Sequence, residues 1–309
     1  MATNLYSDGF FIEPSILMQE YGLLVGDRAH LPNHPALAGG YMGLGSESAT
    51  VNKTLADIGS GVAGTIAENG AVTPDAFSAQ IVSTTVVRKG KGRDRSDFLK
   101  TYDRTGMFLE QALAFDAAMI RGNTVVGMVA EAAATATADV TPGSGAALTW
   151  AKFQEAKQVL VQTGQAFAEG ELLAVLHPVQ WSNLEAEMIT TGLGDAITHS
   201  PEAYNIQYAR SIGYQGRYFG IDVFTSTRVP TANAGADSRG ALVAPGGVVW
   251  AEGILENDPD GFMDVLDGGR LRIERDRDAS RATKAYYYNF LIGVSLGEDA
   301  RVVTITSDR

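Results

Sequence analysis

The 309 residues contain no cysteine, so neither a disulfide nor a thiolate metal site can form. Histidine is scarce: there are four, at His30, His34, His177 and His199. No HExxH pair occurs, and Pro32 keeps His30 and His34 from sharing a helical face. Positive charge is also short. Against 36 acids stand 24 lysines and arginines, a net charge of −12, which argues against a free nucleic-acid binder. No Walker A lysine is present, and the G-x-G spacings (Gly59-Ser60-Gly61, Gly192-Leu193-Gly194) do not stand between a strand and a helix in the Rossmann manner. No serine sits in a strand–turn–helix elbow. The first residues have no basic n-region, and Asp8, Glu13, Glu20 and Asp27 interrupt their apolar positions. The chain therefore reads as soluble and made inside a cell, without a membrane span. There is no internal repeat.

What is present is a chain long enough for a substantial core, as one large domain or two intimate ones, with 35 glycines and many short turns. Residues 1–45 are apolar but aperiodic and read as an arm lying over the body or a neighbour. Residues 46–95 are rich in Gly, Ser, Thr and β-branched residues, with a strand at FSAQIVSTTVVRKG. They read as a polar excursion with little core of its own. SDFLKTYD reads as a short helix capped by Ser96. A long helix is expected over about 107–137, with Leu109, Leu113, Ala117, Ile120, Thr124 and Met128 on one stripe. Gly122 and Gly127 mark a bend or a close backbone approach in it. A second helix begins behind Thr149 as its cap. ELLAVLHP is a buried strand, and PVQWSNLEAEMI restarts as a helix with Pro178 in first position. SPEAYNIQYARSI opens in the same way. GRYFGIDVFTSTRVP reads as a strand or hairpin, and ALVAPGGVVWAEG as a hairpin turning on Pro245-Gly246-Gly247. Strands follow at 270–277, 284–297 and 301–307, the first alternating Leu271 and Ile273 against Arg270, Arg272 and Glu274.

Charge is arranged in two places. Arg88, Lys89, Lys91, Arg93 and Arg95, offset by Asp94, make a basic tract in an acidic chain. It lacks interleaved aromatics for base stacking, and it reads either as a solvated loop or as a patch that docks on an acidic neighbour. Arg272, Glu274, Arg275, Asp276, Arg277 and Asp278 then alternate in sign, which suits pairing between copies. Tyr286, Tyr287 and Tyr288 beside them form an amphipathic cluster of a kind favoured at interfaces. These fourteen residues are the candidate inter-subunit contacts. No catalytic residue, cofactor or metal site is expected, and His177, at a strand end, is expected to cap or pack.

The order of LLAVLHPVQWSNL, GRYFGIDVFTSTRVP, GGVVWAEG and the charged-then-aromatic strand pair before the C-terminus resembles the major capsid proteins of tailed bacteriophages, with the Hong Kong ninety-seven fold. The resemblance runs over roughly residues 96–309 and lies in the order and spacing of the segments, none of which is diagnostic alone. It implies an α+β phage major capsid fold: an N-terminal arm at 1–45, an extended loop at 46–95, a peripheral domain at 96–168 and 270–297 with a long spine helix, and an axial domain at 169–269 and 298–309. It also implies self-assembly into hexamers and pentamers of an icosahedral head, within the virion after assembly in the host cytoplasm. The implied partners are a separate scaffolding protein, a portal, decoration proteins and non-specifically packaged double-stranded DNA. A bacterial nanocompartment shell of the same fold is the alternative. A soluble α/β hydrolase or binding module is the reading from a different class, and it leaves the 46–95 excursion unexplained.

Overall fold

TKAYYYNFLIGVSL alternates bulky apolar residues with smaller or polar ones over 14 positions, and it forms the strand around which the molecule is organised. The computed structural model describes residues 36–42, 48–53, 80–96, 107–141, 145–164, 172–191, 213–253, 255, 263–266, 271–278 and 283–309. In chain order their elements are β1 (Leu37–Met42), β2 (Ser48–Lys53), β3 (Gln80–Thr85), β4 (Val87–Ser96), α1 (Met107–Ala133), β5 (Asp139–Val140), α2 (Trp150–Gly164), β6 (Leu172–Leu176), α3 (Pro178–Thr191), β7 (Tyr214–Tyr218), β8 (Ile221–Thr225), β9 (Thr231–Ala232), β10 (Asp237–Val243), β11 (Val248–Gly253), β12 (Met263–Leu266), β13 (Leu271–Asp278), β14 (Thr283–Leu296) and β15 (Val302–Asp308). The expected short helix at SDFLKTYD (apart from its cap Ser96, which is the last residue of β4), the helix at SPEAYNIQYARSI and nearly all of the arm lie outside the described residues, as do the side chains of Leu109 and Leu113.

Two sheets result. The first runs β1-β11-β14-β13-β12, with β4 also paired to β14. β4 covers Thr283–Ile292 along one edge of β14, while β13 and then β11 share the other edge end to end. The second runs β5-β15-β10-β6-β8-β7, with β9 on β10. β2 and β3 form a separate antiparallel ribbon. β6, LLAVL, is buried at every position because it lies inside the second sheet with both faces covered.

α1 joins the two sheets through one continuous core. Its Ala117, Val125, Val129 and Ala133 pack with Tyr288, Phe290 and Ile292 of the first sheet and Val175, Phe224 and Val243 of the second. Near its middle, Arg121 donates to Glu252 of β11, and both side chains are 1% exposed. Gly127 is the close approach anticipated from the sequence: a Cβ there would lie 2.9 Å from Cδ of Arg228. The opposite face of the second sheet (Leu172, Ala174, Leu176, Val223, Leu242, Val303) packs on α2 and α3 through Phe153, Leu160, Trp181 and Leu184.

The helix starts follow local chemistry. Thr149 Oγ1 accepts from Lys152 N at 3.4 Å, as its capping role predicts. His177 Nδ1 accepts from Val179 N at 3.3 Å ahead of Pro178. Gln180 is wholly buried, accepts from His177 N at 3.0 Å, and donates through Nε2 to Ser238 O, Ile305 O and Ser307 Oγ, so it pins α3 to the β10–β15 pair.

Two expectations change. ALVAPGGVVWAEG does turn at Pro245-Gly246, with Gly246 at φ 82° and Gly247 N bonded to Ala244 O at 2.9 Å. The flanking strands do not pair with each other, however: β10 joins the second sheet and β11 the first. The chain makes the same step between β14 and β15. The two crossings lie against each other, Gly297 N donating to Gly247 O at 2.8 Å, and this contact takes the place of hairpin bonds. The basic tract, expected as the end of a loop with no fold of its own, is strand β4, paired over ten residues with β14. Its backbone donors and acceptors meet the free edge of β14, which outweighs the lack of apolar side chains. In addition, β11 and β12 lie in the first sheet and α2 packs on the second, so the divisions at 168 and 269 do not coincide with sheet membership.

Candidate functional site

β4, β14 and β13 make a three-stranded blade on which all fourteen candidate contact residues fall. Residues directly opposite one another in an antiparallel pair share a face. The register therefore sorts them. Lys91 stands opposite Tyr288 and Arg93 opposite Tyr286, with Ile273 across the other edge, so these belong to the inner face, toward α1. Arg88, Glu274, Tyr287 and Asn289 belong to the outer face, with Arg272 opposite Asn289 and Asp276 opposite Ala285.

Two of the three tyrosines are not surface residues. Tyr288 is fully buried and Tyr286 nearly so, as parts of the chain's own core beneath α1, and they give way as contacts to a neighbour. The alternation of β14 requires this, because Tyr286, Tyr288, Phe290 and Ile292 are its inward set. Burial pushes the Tyr288 phenol well above its ordinary range, and the Asp116 carboxylate adds to the effect while Arg93 opposes it. Tyr287, between them in sequence, is the exposed one, at 41%.

The charges are partly satisfied at home. Arg93 grips Asp116 of α1 with Nε at 2.6 Å and Nη2 at 2.9 Å. The hydrogen bond to Asp116 holds the exposed guanidinium's pKa above its ordinary value. Arg88 reaches over β14 to Glu274 of β13, Nη2 to Oε1 at 3.2 Å, and its Nε donates to Asn289 Oδ1 at 3.0 Å. Arg272 donates to the same Glu274 oxygen. Lys89, Lys91, Asp94 and Asp276 are exposed. The side chains of Arg95, Arg275, Arg277 and Asp278 lie outside the described set, but the backbone places all four on β4 and β13. Sequence reasoning missed Asn289 and Asp116. The first had a visible signal: it is a polar residue at an outward position of an alternating apolar strand.

Among the described residues no group of three or more His, Asp or Glu is placed to hold a metal ion, and no helix is long and apolar enough to cross a membrane. His177, at the foot of α3, is 6% exposed, and burial lowers its pKa, with the Arg309 charge contributing.

No protein-family model matches the chain, and no curated protein matches it in sequence. Solved structures do. The chain is similar to the capsid of Ralstonia phage GP4, with a TM-score of 0.57 at 11% identity over 88% of this chain and 87% of that one. It is similar to the SrpI encapsulin of Synechococcus elongatus PCC 7942, with a TM-score of 0.54 at 13% identity over 88% and 85%. It is also similar to the capsid of Cyanophage P-SCSP1u, with a TM-score of 0.52 at 10% identity over 91% and 89%. At these identities the likeness is one of fold. The chain has the α+β fold of these shells, the one implied by the resemblance to tailed-phage major capsid proteins.

Proposed function

We propose that the chain is the repeating subunit of an icosahedral phage head, assembling as hexamers and pentamers around double-stranded DNA. The observation that carries this reading is the fold shared with two phage capsids along most of both chains, without a large unmatched part on either side. On this reading the first sheet with α1 is the peripheral domain and the second sheet with α2 and α3 the axial one. The β2–β3 ribbon is then the stem of the extended loop. The subunit acts by presenting surfaces to its own copies and carries out no chemistry. A separate scaffolding protein, a portal and decoration proteins are its expected partners. The protein passes from host cytoplasm to virion. The exposed members of the blade, Arg88, Lys89, Lys91, Asp276 and Tyr287, are its proposed contacts with neighbours.

A nanocompartment shell is the second reading, favoured by the comparable likeness to the encapsulin. One experiment tests both. The purified chain, alone and co-expressed with the genes around its own, is passed over a size-exclusion column and imaged by electron microscopy. Closed particles or capsomers are expected. Nuclease-protected DNA inside identifies a phage head and protein cargo identifies a compartment. A monomer under every condition refutes both and returns the chain to the hydrolase or binding-module class.

A further inference from the structure

The outer face of the blade holds more donors than it can satisfy. Arg88 and Arg272, from strands on either side of β14, both bond to one oxygen of Glu274, so two guanidiniums share one acceptor. Between them lies Asn289, 6% exposed. Its Oδ1 is engaged by Arg88, but its Nδ2 has no acceptor among the described residues, and the same is true of the buried Nε of Arg272. Both atoms are enclosed, so a group arriving from outside meets the guanidiniums and not these donors. Gly90 leaves the space that Asn289 uses, since a Cβ there would lie 2.8 Å from Oδ1. On the same face the exposed ring of Tyr287 lies against Gly92, whose Cβ would meet it at 3.1 Å. Tyrosine and arginine around a buried polar centre is the composition of a protein-binding hot spot.

We propose that the Arg88–Asn289–Arg272 cluster receives the carboxylate of an acidic side chain from a second copy of this chain. The oxyanion pairs with the exposed guanidinium of Arg88 and neutralises the charge that two arginines leave over from one carboxylate. Charge identifies the occupant: with a net charge of −12, a second copy brings carboxylates in excess to a strand that is itself basic. A nucleic acid fits less well, because a single exposed tyrosine is no row of stacking rings. The proposal rests on the shell reading for the presence of neighbouring copies, though not for the closure of a shell.

The test is Asn289→Asp, which places a carboxylate of the same shape between the two arginines and so supplies the missing negative charge from within. Self-association is measured by sedimentation velocity over a concentration series, with circular dichroism and melting as folding controls. The variant is expected to keep its fold and melting temperature while the concentration for half-association rises about tenfold or more. Arg88→Gln, at a half-exposed side chain, decides the matter if Asn289→Asp fails to fold, and it should weaken association in the same direction. Wild type and variants associating equally, or a wild type that never associates, overturns the proposal. Closed particles unaffected by either variant leave the shell reading standing and remove this site. Open oligomers weakened by the variants do the reverse.

Discussion

Replacing Glu252 by leucine leaves the charge of Arg121 buried between α1 and β11 without the carboxylate that now faces it. Both side chains are 1% exposed, so neither charge has much water to fall back on. At an effective dielectric of about 20, two charges in contact attract by about 4 kcal/mol. Taking each ion out of water costs several kcal/mol, so the intact pair comes close to breaking even. The variant loses the attraction and keeps the cost of burying the cation. Removing one member of such a pair destabilises by about 3–5 kcal/mol. At about 2 °C per kcal/mol for a long chain, that is a drop of roughly 6–10 °C in melting temperature. Removing both charges, with Arg121→Met added to Glu252→Leu, should recover most of the loss, because an apolar pair of similar volume is often neutral or better. The assay is a double-mutant cycle on melting temperature, with protein concentration held fixed so that assembly does not shift the midpoint. If Glu252→Leu melts within about 2 °C of wild type, or if the double variant melts no higher than the single, the pair does not hold α1 to the first sheet and the reasoning fails.

Two further outcomes follow from the second sheet. His177 is held neutral by burial and accepts the Val179 N–H, and protonation would remove that acceptor and place a cation at a helix start. Its folded pKa lies below the ordinary 6.5, so its contribution is fully present above that value and is lost as pH falls below it. Melting temperature should therefore decline between pH 7.5 and 5.5, both roughly a unit from the ordinary value, and less so in His177→Asn, which can still cap; parallel slopes refute the assignment. Gln180→Leu leaves Ser238 O and Ile305 O without their amide donor inside the protein. It should cost about 1–3 kcal/mol, read as a urea midpoint shift, whereas Gln180→Glu, which keeps the shape but loses both N–H donors, should be no better. A Leu variant as stable as wild type would show that these carbonyls are satisfied elsewhere.

What the sequence made legible was mostly local. The caps at Thr149 and Pro178, the buried run LLAVL, the long helix and the three terminal strands all depend on neighbours within a turn or two, and they stand within a few residues of where their patterns place them, the long helix ending at Ala133 instead of about 137. Partner choice between strands was not legible, for a physical reason. A turn such as Pro245-Gly246 reverses the chain whether or not the flanking strands bond to each other, and here the turn's Gly247 carbonyl is met by the distant Gly297 N–H where the chain crosses between sheets. The same limit governed the site. A run such as RKGKGRDR has no apolar period from which to infer a strand, because β4 is held by backbone bonds to β14, about two hundred residues later in the chain. Once β4 is in place, the tyrosine triplet can be sorted. In a strand, three consecutive identical residues cannot share a face, so the cluster splits, here into two buried rings and one exposed ring. The exposed one, Tyr287, falls on the same face as Arg88 and Asn289, residues that lie far apart in the chain. The alternation inside β14 thus chooses which tyrosine can meet a neighbour, and the pairing with β4 supplies the arginine beside it.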